Sequence, residues 1–376
     1  MTQKMIGLFA GIGGLELGLS RAGFKATALC EIDKTAQHVL KVRFPKIDLL
    51  DDVCDVGSVG KVDVLCAGFP CQDLSSVGQK TGINGSRSTL IDEVFRILAI
   101  SDVEWVVVEN VRFMLHLNRG EAMTRLVSGF EALGYRWAYR VVDSQAFGVP
   151  QRRHRVYFVA SRSGDPRNVL LSDDAKRPDG SLTLPTIESH IGFYWTEGAY
   201  AAGLSKDAIP PLKAGSTIGI PSPPAILFPD GMVAMPSITD ADRIQGFDAD
   251  WTKPAEEVGK ASARWRLLGN SVTVPVAEWL GKRLKRPKKY DASKDILISG
   301  KWPNAAWSMG KGRFSANCSD WPVANCTVKI GEFLRHDPKL LSYKAAAGFL
   351  KRANKGNLNY PNGFLDAIEK FTTSIG

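Results

Sequence analysis

Apolar and polar positions change their period every few residues across the first 161 positions of this chain. Met5–Phe9 is an apolar run of strand length, and Leu15–Ala22 then spaces its apolar residues along one helical face. The same alternation predicts strands at Ala26–Cys30, Val62–Ala67, Trp105–Glu109, Arg136–Val142 and Val156–Ser161. Between them it predicts helices at Thr35–Phe44, Leu90–Ile100 and Met123–Leu133. Strands separated by helices build an α/β fold with a mostly parallel, doubly wound sheet.

The pattern then lapses. From Gly164 to about Pro236 the chain is rich in Gly, Pro and Ser, as in "PPLKAG" and "IPSPPAILFPDG", which predicts a smaller, loop-rich domain. Helical character returns over Ile238–Leu284, where Pro275 suits a first helical turn. "KRLKRPKKYDASKD" reads as a charged linker, and the remainder from about Ile296 carries Trp302, Trp307 and Trp321 with enough apolar residues to fold. No repeat or low-complexity segment is found.

Composition bounds the classes. The chain has 376 residues, 44% of them hydrophobic, enough for two or three domains and a sizeable core. No apolar run approaches the ~20 residues of a membrane span, and the start has no signal-like pattern. A cytoplasmic protein without membrane partners is therefore expected. The six cysteines are scattered, with neither a disulfide framework nor zinc-like spacing, so no metal is expected. Residues 281–376 hold 18 Lys and Arg against 7 Asp and Glu, whereas residues 1–280 hold 30 against 32. The basic excess lies in the tail, which suits a polyanion or a solvated basic surface.

Candidate chemistry sits where predicted strands end. "LFAGIGGLELGL", Leu8–Leu19, is a strand, a glycine turn (Gly11, Ile12, Gly13, Gly14) and a helix, an arrangement that brings backbone N–H groups to a nucleotide-like ligand or merely makes a tight turn. It is not a strict Gly-x-Gly-x-x-Gly, because Glu16 takes the third glycine's place. Glu31, after the second strand, is placed to accept from ribose hydroxyls or to face solvent. "GFPCQ" puts Cys71 just past a strand, as a nucleophile or an inert thiol, and Cys30, Cys54 and Cys66 read as core fillers. "VVVENV" ends an apolar strand with Glu109 and Asn110, where Glu109 would protonate or hydrogen-bond a ring nitrogen if it faces a pocket and burial raises its pKa, or else be a solvated strand-end carboxylate. Arg153 and Arg155 in "PQRRHRV" alternate entering a strand, which predicts one shared face for a base carbonyl or phosphates, or a charged strand edge.

In combination these pieces are more specific. Phe9–Gly14, Pro70-Cys71-Gln72, Glu109-Asn110-Val111, Gln151–Arg155, Arg243–Phe247 ("RIQGF") and Gly269–Val272 ("GNSV") stand in the order of the DNA cytosine-5 methyltransferases. From about Met5 to Leu284 the chain resembles that family, in its prokaryotic modification type. The resemblance implies a Rossmann-like fold dependent on S-adenosylmethionine, with S-adenosylhomocysteine as product. Phe9, Gly11, Ile12, Gly13, Gly14, Glu31, Ile32, Asp52, Val53, Pro70, Asn270 and Ser271 match its cofactor-binding positions.

It further implies that Cys71 adds to carbon 6 of a cytosine flipped from the duplex, Glu109 holds N3, and Arg155 holds O2 with Arg153 beside it. Gln72, Ser75, Arg87 and Arg243 would contact DNA. The stretch 162–240 would read the sequence, and "GNSVTVPVAEWL" would fold back on the first motif. The implied division is a catalytic domain of residues 1–161 and 262–286, a target-recognition domain at 162–261, and a basic extension at 287–376. That extension exceeds the family pattern, and its charge suggests extra DNA contact. A monomer modifying double-stranded DNA, with a cognate restriction endonuclease, as phage defence or as an orphan enzyme, is the expected setting. The alternatives are a transfer-RNA cytosine-5 methyltransferase of the same fold, whose Cys-Phe-Thr tripeptide is absent, and a DNA-binding regulator.

Overall fold

The blocks of apolar residues in the first 161 positions fold as their periods require. The computed structural model describes residues 2–69, 90–178, 184–216, 223–325 and 327–376. In order these begin β1 (Lys4–Leu8), α1 (Gly14–Arg21), β2 (Lys25–Cys30), α2 (Lys34–Arg43), β3 (Asp48–Leu50) and β4 (Lys61–Ala67). Then come α3 (Leu90–Ala99), β5 (Asp102–Val111), α4 (Glu121–Ala132), β6 (Arg136–Asp143), β7 (His154–Ser161) and α5 (Pro166–Leu170). Asp33 caps α2 through its carboxylate, and α3 presents an apolar face of Ile91, Val94, Ile97 and Leu98, all buried.

The remaining elements are shorter. They are β8 (Ile191–Phe193), β9 (Ser205–Lys206), β10 (Ala225–Leu227), β11 (Val233–Met235), α6 (Ile238–Ile244), α7 (Ala263–Asn270) and α8 (Val274–Lys285). After them lie β12 (Ile296–Leu297), β13 (Ala305–Ser308), β14 (Arg313–Ser315), α9 (Ile330–Phe333), β15 (Lys339–Leu340), α10 (Tyr343–Ala353) and α11 (Phe364–Ser374).

The chain divides into two units. The first comprises residues 1–143, 154–176 and 272–323. Its sheet runs in the order β12-β14-β13-β6-β7-β5-β4-β1-β2-β3. The half formed by β3, β2, β1, β4 and β5 is parallel, and β7, β6, β13, β14 and β12 extend it with antiparallel pairings. Both faces of the central strands are covered. Leu65 and Ala67 of β4 and Val106 and Val108 of β5 join α3 and α4 in one core, and the intervening Val64, Cys66 and Val107 are equally buried. Helix α8 packs on α1, where a Cβ at Gly18 would come 2.4 Å from that of Ala277.

Two readings of the sequence change here. The charged stretch after α8 is not a free linker: the Lys288 N–H donates to Asn168 O, and Arg283 and Lys288 both pair with Asp173. The tryptophan-rich segment that follows supplies β12, β13 and β14 to the sheet, with Ala306 and Trp307 of β13 opposite Tyr139 and Ala138 of β6. Strands of two to four residues are too short to show a period.

The second unit comprises residues 144–153, 177–271 and 324–376. Its sheet has the order β15-β11-β10-β8-β9, all antiparallel. Phe193 and Leu227 from this sheet share one core with Phe349 and Ala353 of α10 and Phe364 and Ile368 of α11. The last part of the chain thus completes this core. No described helix is long and apolar enough to cross a membrane.

Candidate active site

In the first unit the carboxyl ends of β1, β4 and β5 lie side by side, with Leu8 opposite Ala67 and Ala67 opposite Val108. Ligands bind at this edge of parallel sheets, because strand ends and helix N-termini converge there. Beyond β1 the chain turns sharply: Phe9 and Gly11 have φ of 55° and 56°, and Gly13, at 83°, caps α1. The Gly13 N–H donates to Ala10 O at 2.8 Å and the Ala10 N–H to Cys30 O at 2.9 Å, so the turn is stitched to β2. A Cβ on Gly11 would meet nothing within 4 Å, which leaves an open approach to the turn's backbone.

Glu31 faces this turn from the end of β2. Its Oε2 accepts from the Gly11 N–H at 2.7 Å and its Oε1 from the Asp33 N–H at 2.8 Å, with the Ile32 backbone also bonded to the carboxylate. Burial pushes its carboxyl above the ordinary value, and those N–H donors oppose the rise. Beside it Ile32 is 67% exposed. Asp52 caps the short turn Val53–Asp55 by accepting from the Cys54 N–H at 2.9 Å, and Val53 is buried. Gln37 links these parts, donating to Glu31 O at 2.5 Å and Asp51 Oδ1 at 2.9 Å, and Arg96 donates to Val53 O at 3.1 Å.

At the end of β5, Glu109 and Arg155 of β7 form an ion pair, Oε1 to Nε 3.1 Å, both largely buried. Arg155 donates also to His154 O at 2.9 Å. The His154 ring lies within reach of two carboxylates, Asp320 at 3.0 Å and Asp143 at 3.4 Å, which fixes the start of β7. Next to Glu109, the buried Asn110 donates through Nδ2 to Phe69 O at 3.1 Å and accepts from the Val111 N–H at 2.8 Å. Phe69 packs edge-on against Phe9, with ring centroids 6.4 Å apart. Asn110 and Phe9 therefore hold the backbone from which Pro70 and Cys71 continue. Pro70, Cys71, Gln72, Ser75 and Arg87 lie outside the described residues.

Other predicted residues sit elsewhere. Arg153 does not share a strand face with Arg155, because β7 begins at His154. The Arg153 guanidinium, buried in the second unit, donates to Leu212 O, Gly269 O and Ser271 O at 3.1, 3.2 and 2.7 Å. Asn270 is exposed at the end of α7 in that unit, followed by the buried Ser271. Arg243 is engaged within the same unit, paired with Asp240 and donating to Phe333 O at 2.9 Å. The motif glutamines also interlock, Gln151 Nε2 donating to Gln245 Oε1 at 3.1 Å and Gln245 to Leu268 O at 2.7 Å.

Glu16, which replaces the third motif glycine, is 1% exposed under β1. Its Oε1 accepts from the Cys66 thiol at 3.4 Å, and a Cβ on Gly7 would come 2.0 Å from that oxygen. The close approach a third glycine would permit on the helix is thus made by Gly7 on the strand. Burial pushes the Glu16 carboxyl up to about 7 and raises the Cys66 thiol well above its usual value. Cys30, pushed up to about 12, is equally inert. Cys54 is exposed and so is not a core filler. Sequence reading singled out neither Asn110 alone nor Gln37 nor Arg96, though Asn110's place directly after Glu109 was the available signal.

Comparison with known proteins agrees with this layout. The family model of the C-5 cytosine-specific DNA methylases matches residues 3–194. The Type II methyltransferase M2.BsuMI of Bacillus subtilis (strain 168) is 43% identical over 380 residues, covering 98% of each chain. The Type II methyltransferase M.MspI of Moraxella sp is 27% identical over 304 residues, 75% of this chain and 70% of the relative. The crystal structure of S. pombe Dnmt2 methyltransferase shares the fold, with a TM-score of 0.54 and 16% identity over 75% of this chain and 98% of that one. The glycine turn, the acidic ends of β2 and β5 and a near full-length relative make this chain a member of the C-5 cytosine-specific DNA methylases, a DNA (cytosine-5-)-methyltransferase.

Proposed function

We propose that the chain transfers the methyl group of S-adenosylmethionine to carbon 5 of a cytosine flipped out of a specific double-stranded DNA sequence, through a covalent bond between Cys71 and carbon 6. The observation that carries this reading is the Glu109–Arg155 pair at the sheet edge, with Asn110 anchoring Phe69, two residues before Cys71. The acid, the cation and Phe69, two residues before Cys71 in the sequence, meet at one edge of the sheet. A ligand with the donor pattern of cytosine matches that set.

The residues at the glycine turn fit the adenosyl cofactor. Gly11 leaves the backbone open to a bound chain, Glu31 offers a carboxylate acceptor to ribose hydroxyls, and Ile32 with Asp52 and Val53 offers an apolar and polar lining for a purine ring. Phe9, Ile12, Gly13, Gly14, Pro70, Asn270 and Ser271 complete the proposed set. When bound, the cofactor supplies an electrophilic methyl group.

Carbon 5 of cytosine is a weak nucleophile, and the Cys71 thiolate makes it one by adding to carbon 6. Glu109, in its protonated form when the base enters, gives its proton to N3 as electrons enter the ring, and Arg155 holds O2. Carbon 5 accepts the methyl group, then gives its proton to a water molecule as Cys71 departs as thiolate, the 5,6 double bond re-forms, and N3 returns its proton to Glu109. Arg153, bound to three carbonyl oxygens, shapes backbone rather than touching the base. A base stacked in duplex cannot reach these groups, so flipping is required, and Gln72, Ser75, Arg87 and Arg243 belong to the DNA-contacting set of this reading.

Relatives named as Type II methyltransferases support a modification role in a restriction-modification or phage-defence system; a separate endonuclease as partner and a monomeric chain belong to the same proposal. The test is methyl transfer from tritiated cofactor to duplex DNA and to transfer RNA by the wild-type chain and by Cys71→Ala. Incorporation into duplex alone, at carbon 5, and none with the variant is the expected result; label in transfer RNA alone would refute it.

A further inference from the structure

The final segment of the chain combines charge, amides and rigid anchoring in an unusual way. Residues 338–365 hold five Lys and Arg and no carboxylate side chain. Helix α10 buries Ala346, Phe349 and Ala353 in the core of the second unit, which leaves Lys344 and Lys351 exposed. The loop that follows, "NKGNLNYPNG", exposes Asn354, Lys355, Asn357, Asn359 and Asn362.

The end of α10 and this loop are held to the turn at residues 195–199 by three hydrogen bonds, one of them from the loop itself. Arg352 donates to Trp195 O at 2.7 Å and Glu197 O at 3.1 Å, and the Tyr360 hydroxyl donates to Gly198 O at 2.6 Å. Gly356 lies so close to Ala199 that a Cβ would come 2.1 Å from its carbonyl oxygen. Tyr360 also stacks flat on Phe364, with centroids 5.5 Å apart at 3°. On the turn so clamped, Tyr200 is 93% exposed. Asparagine is common in solvated turns. Here, however, the backbone is anchored by other residues, and among the described residues none of the four amide side chains has a hydrogen-bond partner.

Resting on the DNA-modifying reading above, we propose that the loop 354–363, together with the turn at Tyr200, is a base-reading surface for the major groove of double-stranded DNA. An asparagine amide offers one donor and one acceptor side by side, which matches the N6 and N7 edge of adenine, and exposed lysines meet the phosphates on either side. The Tyr360 hydrogen bond and the close approach of Gly356 to Ala199 reduce the ordering entropy that opposes binding. Sequence readout therefore extends beyond residues 162–261 into the end of the chain, and the two separated segments act as one surface.

The experiment uses the full chain and its Asn357→Ala/Asn359→Ala and Lys344→Ala/Lys351→Ala variants, each checked for an unchanged Tm and an unchanged affinity for S-adenosylhomocysteine. Bisulfite sequencing of a random-sequence duplex library methylated in vitro gives the preferred site and the discrimination at each position. The asparagine variant should lose roughly tenfold to a hundredfold of the discrimination at one or two positions. The lysine variant should keep the site but bind all duplexes more weakly, its log-log salt slope shallower by about one unit for each phosphate no longer neutralised. A folded asparagine variant with the wild-type site preference overturns the inference alone. A wild-type chain that methylates no duplex overturns the proposed function and this inference with it.

Discussion

Glu109 and Arg155 meet diagonally across the antiparallel pair β5 and β7, where Glu109 stands opposite Tyr157 and Arg155 opposite Val111. The diagonal geometry lets one cation orient one acid at the strand end. Glu109→Gln keeps the shape but removes the proton, and should lower kcat about 10²- to 10⁴-fold. Cofactor affinity, measured by calorimetry on the same variant, should be unchanged. A variant with wild-type turnover would remove Glu109 from the chemistry.

Glu31 holds the Gly11 and Asp33 N–H groups, and in the proposed reading its carboxylate also accepts from the cofactor's ribose. Glu31→Ala should therefore weaken S-adenosylhomocysteine binding by about 10- to 100-fold, the range of lost hydrogen bonds to a charged group. The check is a calorimetric titration in which a control variant at the exposed Lys61 binds normally. Equal affinity in both would dissociate Glu31 from the cofactor.

Asn110 acts through another residue, since its amide touches the Phe69 carbonyl ahead of Cys71. Asn110→Ala should cost about 1–3 kcal/mol of stability, because a buried carbonyl loses its donor. As a positioning residue it should also depress kcat while leaving the KM for cofactor near wild type. Loss of stability with full kcat at a permissive temperature would confine Asn110 to a structural role.

Glu16 makes stability depend on pH. Its folded carboxyl titrates at about 7 against an ordinary 4.5, so between those values the folded chain keeps a proton that the unfolded chain has released. Its favourable contribution is complete below the lower value and declines as pH rises through the upper one. Glu16→Gln, neutral throughout, should gain roughly 2 kcal/mol relative to wild type between pH 5.5 and 8.5. Urea unfolding at both pH values gives the difference; parallel behaviour of the two proteins would contradict it.

The early strands and helices, apart from the three-residue β3, were legible because each is long enough to display its period and is buried on both sides or on one clear face, as with Leu90–Ala99 and Asp102–Val111. The glycine turn and Glu31 were legible for a different reason: positive φ and close backbone approach leave a glycine signature that side-chain packing does not. Arg153 was not legible. Alternation with Arg155 predicted a shared face, but the strand starts one residue later and the guanidinium satisfies carbonyls from residues 59 to 118 positions away. Short strands such as Ala305–Ser308 were hidden likewise, since their pairing with β6 is a tertiary choice. The basic tail was visible as charge, while its sharing between two units was not.

Covalent capture at Cys71 tests the mechanism most directly. The wild-type chain is incubated with cofactor and a long duplex in which every cytosine carries fluorine at carbon 5, so that no proton can leave after methyl transfer. Intact mass and a denaturing gel should then show one protein–DNA adduct, mapped to Cys71 by proteolysis and absent from Cys71→Ala. Turnover of ordinary duplex without any adduct on the fluorinated one, or an adduct that persists in Cys71→Ala, would contradict the account.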